Sequence, residues 1–472
     1  MKVCVLLPDY STSNVDYQNY DPPRDLSSLL PNDIVETVFI NKLTAYKQLK
    51  NLSKKGFDIF VNLCEGYLEW SVPSIDVIYT LELLNLPFTG PTLKLYDPTK
   101  ELMKYVAYCA NVKTPAYQII QTIKDLSSIT LNFPLFVKPA KAGDSLGIDQ
   151  NSLVKSFVEL ENQINILLND YDEILVEEYI AGREFTVMVM ADATGKICKA
   201  LEPVEYIFPT NSYFKTYALK TSELHTDANV SIKDKKLVSI LKNSAESIFK
   251  AFNGVGYSRL DFRMNEQGEI FFLEINFTCS VFYTNGYEGS ADYILNYDGI
   301  GQQKFLQEII SEGIERHKRK QLSFIMKGNA IAGYGIYTTR SIEAGEIIFK
   351  GEERAQRIVT KKYVEENWDE KEKEIFARYA YPISKNVFII WDEDATSWAP
   401  QNHSCNPNTI YKGLNIITLR PIEKGEELTL DYATFLNEAS QSFVCTCNCK
   451  NCRGIISGMS KNSIEDNLVN EY

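Results

Sequence analysis

Several protein classes are excluded by what the sequence has little of. Acidic residues outnumber basic ones, 62 to 49, which gives a formal net charge of −13. That imbalance speaks against binding nucleic acid through bulk electrostatics. The one basic run, Arg316-His317-Lys318-Arg319-Lys320, reads as a solvated face or a linker. No apolar run reaches the length of a membrane span, and Met1–Asp9 turns acidic too early for an export signal. The expectation is a cytoplasmic protein with neither membrane nor nucleic acid among its partners. Cysteine is scattered over most of the chain, where Cys4, Cys64, Cys109, Cys198 and Cys279 stand alone. It then crowds at Cys445, Cys447, Cys449 and Cys452, behind Cys405. Without an export signal, such clustering points to metal rather than disulfides.

What is present suits a folded chain of two or three domains: 472 residues, 44 % hydrophobic and 24 % charged. In residues 1–95 short apolar runs alternate with helical stretches. Lys2–Leu7, Val35–Ile40 and Asp58–Asn62 read as buried parallel strands and Ser74–Leu86 as a helix, the rhythm of an open α/β sheet. A second region, 96–312, has a helix bearing Lys100 and Lys104, then strand-like Phe133–Lys138, Glu173–Tyr179, Phe185–Met190 and Ile270–Ile275. The charged stretch 313–322 reads as a linker. Beyond it, short strands with frequent turns suggest a β-rich domain at 323–440 with a helical insert at Tyr363–Tyr379, a cysteine segment at 441–455 and a loose tail at 456–472.

The back of the chain carries four motifs in order: Gly333-Tyr334-Gly335, Asn402-His403-Ser404-Cys405, Gly425-Glu-Glu-Leu-Thr-Leu-Asp431-Tyr432, and Cys445-x-Cys447-x4-Cys452-Arg453-Gly454. A lone G-x-G is a common turn, and Tyr432 alone is one tyrosine among 28; the ordered set is far more specific. Over residues 323–455 it resembles a SET domain with a post-SET segment. The resemblance implies a methyltransferase that uses S-adenosylmethionine, held by Gly333, Tyr334, Gly335, Asn402 and His403. It places Tyr432 beside the transferring methyl group and the target amine. Glycines there let backbone pass close to the cofactor, and an in-line displacement needs an aligned neutral amine. Cys405, Cys445, Cys447 and Cys452 supply four thiolates for one tetrahedral zinc, with Cys449 outside the pattern. Trp398-Ala-Pro-Gln401 replaces the Arg-Phe-type stretch usual before Asn-His-Ser-Cys.

The front reads as nucleotide-dependent chemistry. Lys138-Pro139-Ala-Lys-Ala-Gly143-Asp-Ser145-Leu-Gly147 is a strand end running into a glycine loop whose amides can close on phosphate. Arg259-Leu-Asp261 and Glu274-Ile-Asn276 put hard oxygen ligands for magnesium on facing strands; buried carboxylates can serve structural ion pairs instead, but this combination at this spacing favours metal. With Leu81–Gly90 and Glu184-Phe-Thr-Val187, residues 1–312 resemble the ATP-grasp fold in its D-alanine–D-alanine ligase branch. The resemblance implies Lys100, Lys138 and Ser145 on ATP phosphates and Glu177 and Glu184 on the nucleoside. Asp261, Glu274 and Asn276 would hold Mg2+, with Arg259 steadying the carbonyl oxygen. That branch activates a carboxylate as an acyl phosphate, which an amine then displaces.

Three departures bear on substrate. Pro8–Asn14 stands where the branch has a glycine-rich loop with a gripping Glu, and Asn62-Leu63-Cys64-Glu65-Gly66 replaces its His-Gly segment. Asn276 also runs into Phe277–Phe282 without the usual Pro-Gly turn. The expected chain is therefore a ligase for some other amino acid, peptide or small amine, fused to a lysine or amine N-methyltransferase. The methyl acceptor is either a small molecule or a protein lysine, and pairing of two copies into a homodimer stays open. The competing reading keeps a protein-lysine methyltransferase and makes the front half a non-catalytic binding module. It expects a lost lysine, arginine or metal ligand.

Overall fold

The computed structural model describes residues 1–11, 21–66, 72–141, 147–208, 214, 228–284, 286–320, 323–329, 332–353, 356–391, 401–437, 440 and 442–458. The chain divides into two compact units, Met1–Lys320 and Gln321–Tyr472.

The first unit begins with the expected open sheet. β1 (Lys2–Pro8), β2 (Ile34–Ile40) and β3 (Ile59–Asn62) are all parallel, in the order β2-β1-β3. β1 is apolar without alternation because both its faces are covered. Val3, Val5 and Leu7 pack toward Phe305, Leu306 and Ile309 of the helix Gly301–Lys320, while Cys4 and Leu6 join Leu49, Val77 and Leu81 on the other side. A second sheet follows from β4 (Tyr117–Ile120), β5 (Leu135–Pro139), β6 (Leu153–Val154) and β7 (Ile174–Glu178), in the order β4-β7-β5-β6. The helix Phe157–Leu167 covers it through Leu160 and Ile164. The third sheet is antiparallel along its path: β8 (Arg183–Ala191), β9 (Cys198–Ala200), β10 (Val204–Tyr206), β11 (Asn229–Ser231), β12 (Tyr257–Met264) and β13 (Ile270–Asn276). The order is β11-β10-β8-β12-β13, with β9 on β8. One face is buried under the helices Lys100–Cys109 and Lys235–Ala251 by Val187, Leu260, Phe262, Phe272 and Ile275, which leaves the alternate residues of β12 and β13 for chemistry.

One expectation fails here. Residues 313–320 are no linker but the last two turns of the helix Gly301–Lys320. The basic run looks solvated in sequence, yet Arg316 is 6 % exposed and donates to the carbonyls of Phe88 at 2.6 Å and Gly90 at 2.8 Å. Those bonds tie the helix to the first sheet, and the boundary between units falls after Lys320.

The second unit is built from short strands, as expected. β14 (Phe324–Asn329), β15 (Gly333–Thr338), β16 (Ile347–Lys350), β17 (Gln356–Thr360), β18 (Tyr381–Pro382), β19 (Val387–Trp391), β20 (Asn402–His403), β21 (Thr409–Lys412), β22 (Asn415–Thr418) and β23 (Glu427–Leu430) form three small sheets among the described residues. Their orders are β14-β15-β23-β20, β16-β22-β21 and β17-β19-β18, and a ribbon of β24 (Phe443–Val444) and β25 (Ile455–Ile456) follows. The insert is two helices, Lys361–Asn367 and Glu370–Tyr379, rather than one. Asp369 starts the second by accepting the Glu372 amide at 2.8 Å, while the Glu372 carboxylate accepts the Asp369 amide at 3.1 Å. No described helix is long and apolar enough to cross a membrane.

Candidate functional sites

In the first unit, strand register assembles the constellation. Asp261 of β12 pairs with Glu274 of β13 and Arg259 with Asn276, so all four side chains share the face left free of the core. On the other flank β8 sets Thr186 opposite Asp261 and Glu184 opposite Arg263. The Thr186 hydroxyl donates to Asp261 at 2.6 Å, Arg259 lies 3.4 Å from the same carboxylate, and Arg263 is 3.8 Å from Glu184. Lys100, at the start of its helix, reaches Glu274 at 3.5 Å. Lys100, Lys138, Glu184, Asp261, Arg263 and Glu274 line one cleft with Phe136, Tyr179 and Ile180. Phe136 stacks against Tyr179, and the Arg263 guanidinium lies 4.8 Å above the Tyr179 ring. A flat aromatic slot thus adjoins a lysine-and-carboxylate end, a division suited to a base and its phosphates.

Glu177 was expected on the nucleoside, but its carboxylate is engaged between two lysines, Lys104 at 2.6 Å and Lys138 at 2.5 Å. It is 3 % exposed. Burial pushes its carboxyl up, yet the Lys104 and Lys138 charges outweigh burial and hold the pKa at about 2. Lys104 received no role from the sequence. The signal was its place four residues after Lys100, on the same helical face. Arg263 and Tyr179 were missed because their meeting depends on pairing between distant strands. Ser145 lies outside the described residues. Gly147 has a positive φ of +70°, and an added Cβ there would sit 2.7 Å from the Pro139 ring at the end of β5.

At Asn62–Gly66, where β3 ends, the chain has a charged network. Arg24, 2 % exposed, bonds Glu65 at 3.2 Å and the carbonyls of Leu63 at 3.2 Å and Val281 at 3.1 Å. Tyr283 donates to Asp21 at 2.7 Å, and Asp21 lies 3.5 Å from Arg24. Burial pushes Glu65 up to about 7 although Arg24 opposes the shift. Residues 12–14 of the expected N-terminal loop lie outside the described residues.

In the second unit the four motifs converge. β20 pairs in parallel with β23, Asn402 beside Thr429 and His403 beside Leu430. The Asn402 amide donates to the Tyr334 carbonyl at 2.7 Å and to Glu427 at 2.9 Å, which joins the Gly333-Tyr334-Gly335 strand to Asn402-His403. A Cβ on Gly335 would stand 2.4 Å from the Glu427 carboxylate, so a side chain there would push Glu427 aside. Tyr432 starts the 3-10 turn Tyr432–Thr434, and its hydroxyl donates to the Gln401 carbonyl at 2.6 Å. Burial, with Tyr379 nearby, pushes its phenol up to about 12, so it stays neutral at physiological pH. Beside it opens a cavity of about 650 Å³ walled by Tyr381, Tyr411, Tyr432, Phe435 and Phe443. Ring centroids stand 4.8 Å apart for Tyr381–Tyr411 and 5.3 Å for Tyr432–Phe435. No spacing in the sequence announces this wall as a whole, since Tyr381, Tyr411 and Phe443 come from separate strands and meet the Tyr432–Phe435 turn only in the fold. Of Trp398–Gln401, only Gln401 is among the described residues.

The sulfurs of Cys405, Cys445, Cys447 and Cys452 lie within 4.8 Å of one another, the set expected from the sequence. Cys449 falls outside it, although its sulfur is 3.4 Å from that of Cys447. Burial raises the Cys405 thiol, but N–H donors from Arg453 and His403 outweigh it and draw the pKa to about 7. A readily ionised thiol within a compact four-sulfur group fits a tetrahedral thiophilic cation.

Comparison with known proteins agrees with both geometries. Residues 104–288 match the family model described as D-ala D-ala ligase C-terminus, and residues 333–433 match the SET domain model. The chain therefore joins an ATP-grasp unit of the D-alanine–D-alanine ligase kind to a SET domain. Among curated relatives, D-alanine–D-alanine ligase of Aquifex aeolicus is 30 % identical over 199 residues, 42 % of this chain and 64 % of that protein. The enzyme of the same name from Bordetella petrii is 27 % identical over 238 residues, 49 % of this chain and 70 % of that one. The chain thus spans slightly less than two thirds of the Aquifex relative. The solved D-alanine-D-alanine ligase of Coxiella burnetii superposes with a TM-score of 0.50 at 17 % identity, covering 68 % of this chain and 97 % of that one, a likeness of fold.

Proposed function

We propose that the chain is a bifunctional enzyme: an ATP-dependent carboxylate–amine ligase joined to an S-adenosylmethionine-dependent lysine or amine N-methyltransferase. The observation that carries the ligase reading is the intact Arg259–Asp261–Glu274–Asn276 face beside Lys100 and Lys138. A front half serving only to bind would have no use for all six. In this reading Lys100 and Lys138 hold ATP phosphates, and Asp261, Glu274 and Asn276 bind Mg2+, which offsets phosphate charge. A substrate carboxylate oxygen attacks the γ-phosphorus and ADP departs. The amine then attacks the acyl carbon, phosphate leaves, and the amine's surplus proton passes to water. Arg259 faces the oxygen on which charge grows. The segments that depart from the ligase branch, Pro8–Asn14 and Asn62–Gly66, point to a substrate that is an amino acid, peptide or amine other than D-alanine.

In the second unit S-adenosylmethionine would lie against Gly333–Gly335, Asn402 and His403 and supply an electrophilic methyl group. An amine on an apolar chain suits the aromatic cavity, whose ring faces attract a cationic head. Once the ammonium's proton has passed to water, Tyr432 orients the neutral amine for displacement. Zn2+ on the four cysteines would fasten the tail, and reduced thiols suit a cytoplasmic setting. The two chemistries separate by mutation. Tyr432→Phe is expected to lower methyl transfer by about tenfold or more with ATP turnover unchanged, and Lys138→Ala to do the converse, order-of-magnitude losses for groups acting in a transition state. Loss of both activities from either change in folded protein would overturn the independence of the two halves.

A further inference from the structure

We propose that Arg453 is a positioning residue that couples the four-cysteine cluster to Tyr432. The inference rests on the methyltransferase reading of Tyr432, but the geometry stands without it. Arg453 immediately follows Cys452 and works at both ends of the link. Its backbone N–H donates to the Cys405 sulfur at 3.4 Å, and its guanidinium pairs with the Asp431 carboxylate. That carboxylate also accepts the Ala433 amide at 3.0 Å, which caps the turn carrying Tyr432. A second arm runs through His403. Its Nδ1 accepts the Tyr432 amide at 3.1 Å, so the ring proton sits on Nε2, which points at the Cys405 sulfur 3.4 Å away. Cys405 is thus the fixed point of two arms that both end on the Tyr432 turn. Groups that bond a metal ligand from outside set its orientation, and here the same groups set the orientation of the turn.

The two arms differ in kind. The His403 arm depends on a side chain that also serves the S-adenosylmethionine face, so substitution there would confuse two roles. The Arg453 arm can be cut cleanly: Arg453→Ala removes the guanidinium and keeps the backbone N–H that supports Cys405. The cluster should therefore keep its metal while the turn loosens. Arg453→Lys keeps the charge and loses the planar fork, so it should restore part of the effect.

Hydrogen exchange on the full chain purified with its metal, alongside zinc content, tests this without any methyl acceptor. In Arg453→Ala, the amides of Tyr432, Ala433 and Leu436 are expected to exchange about two- to fivefold faster, the factor of a half-exposed ion pair. Zinc should stay at one per chain, β14 and β15 should be unchanged, and Arg453→Lys should fall in between. Asp431→Asn should match Arg453→Ala, with no further rise in the double variant. Unchanged exchange at the turn in zinc-loaded Arg453→Ala would overturn the proposal, as would zinc loss in that variant, which would make Arg453 a support of the cluster alone. Failure of the wild-type chain to bind S-adenosylmethionine would instead remove the methyltransferase reading, and the exchange result would still decide the coupling.

Discussion

Glu177 offers a quantitative test of how the first unit holds its cationic end together. Its carboxylate is buried between Lys104 and Lys138, and its pKa falls from an ordinary 4.5 to about 2. At 1.36 kcal/mol per unit, that depression corresponds to about 3 kcal/mol of folded-state stability near neutral pH. The sign follows from the direction. A carboxyl depressed in the folded state stabilises fully above its unfolded value, and the contribution fades as pH falls toward about 2, dropping below half by about pH 3. Glu177→Gln keeps the shape and leaves two buried ammonium groups without their shared counter-charge. An unfolding entropy near 2.1 cal/mol/K per residue gives roughly 0.7 kcal/mol/K over the 320 residues of the unit. The front unit's thermal transition should then drop by about 5 °C at pH 7. Calorimetry resolves that shift, and the wild-type advantage measured at pH 3 should be less than half as large. A melting point within about 1 °C of wild type at pH 7, or a deficit equally large at pH 3, would refute the electrostatic account.

Two further outcomes are expected. Protein purified without added zinc should carry about one zinc per chain, as a closed thiolate site does, and Cys405→Ser should lose it; a well-folded protein without zinc would sink the four-cysteine site. Gly147→Ala should cost about 1–3 kcal/mol, from a positive φ and a Cβ 2.7 Å from Pro139, and should raise the KM for ATP; an unchanged KM would detach the loop from phosphate binding.

The sequence was most legible where chemistry and register coincide. Arg259-x-Asp261 and Glu274-x-Asn276 each repeat with the strand period, so a single pairing of β12 with β13 puts all four on one face. The cysteine set was equally readable, because three of its members lie within eight residues and the fourth sits in a distinctive motif. Charge patterning misled at 313–320: a run of Arg, His and Lys looks solvated, and nothing local reveals that Arg316 turns inward to two carbonyls. The helical insert read as one helix because both halves are polar and good helix formers, and the break depends on the Asp369–Glu372 cap. The aromatic cavity was invisible for a deeper reason. Its rings come from 381, 411, 432, 435 and 443, and beyond the local pair Tyr432 and Phe435 only tertiary packing makes them neighbours. Likewise Arg24 and Glu65 carry no motif; their pairing follows from the closure of a loop after β3 against the segment beyond β13.

The central claim, that the front half is a working ligase with a pocket for something other than D-alanine, is tested most directly by ADP formation from Mg2+-ATP. The full chain would be assayed with D-alanine and then with a panel of amino acids, short peptides and amines, lysine-containing ones first. The account predicts substrate-dependent ADP release with at least one panel member, abolished by Lys138→Ala, and rejection of D-alanine by several orders of magnitude. Robust D-alanyl-D-alanine synthesis would contradict the pocket, and silence across the panel without ATP binding would contradict the ligase.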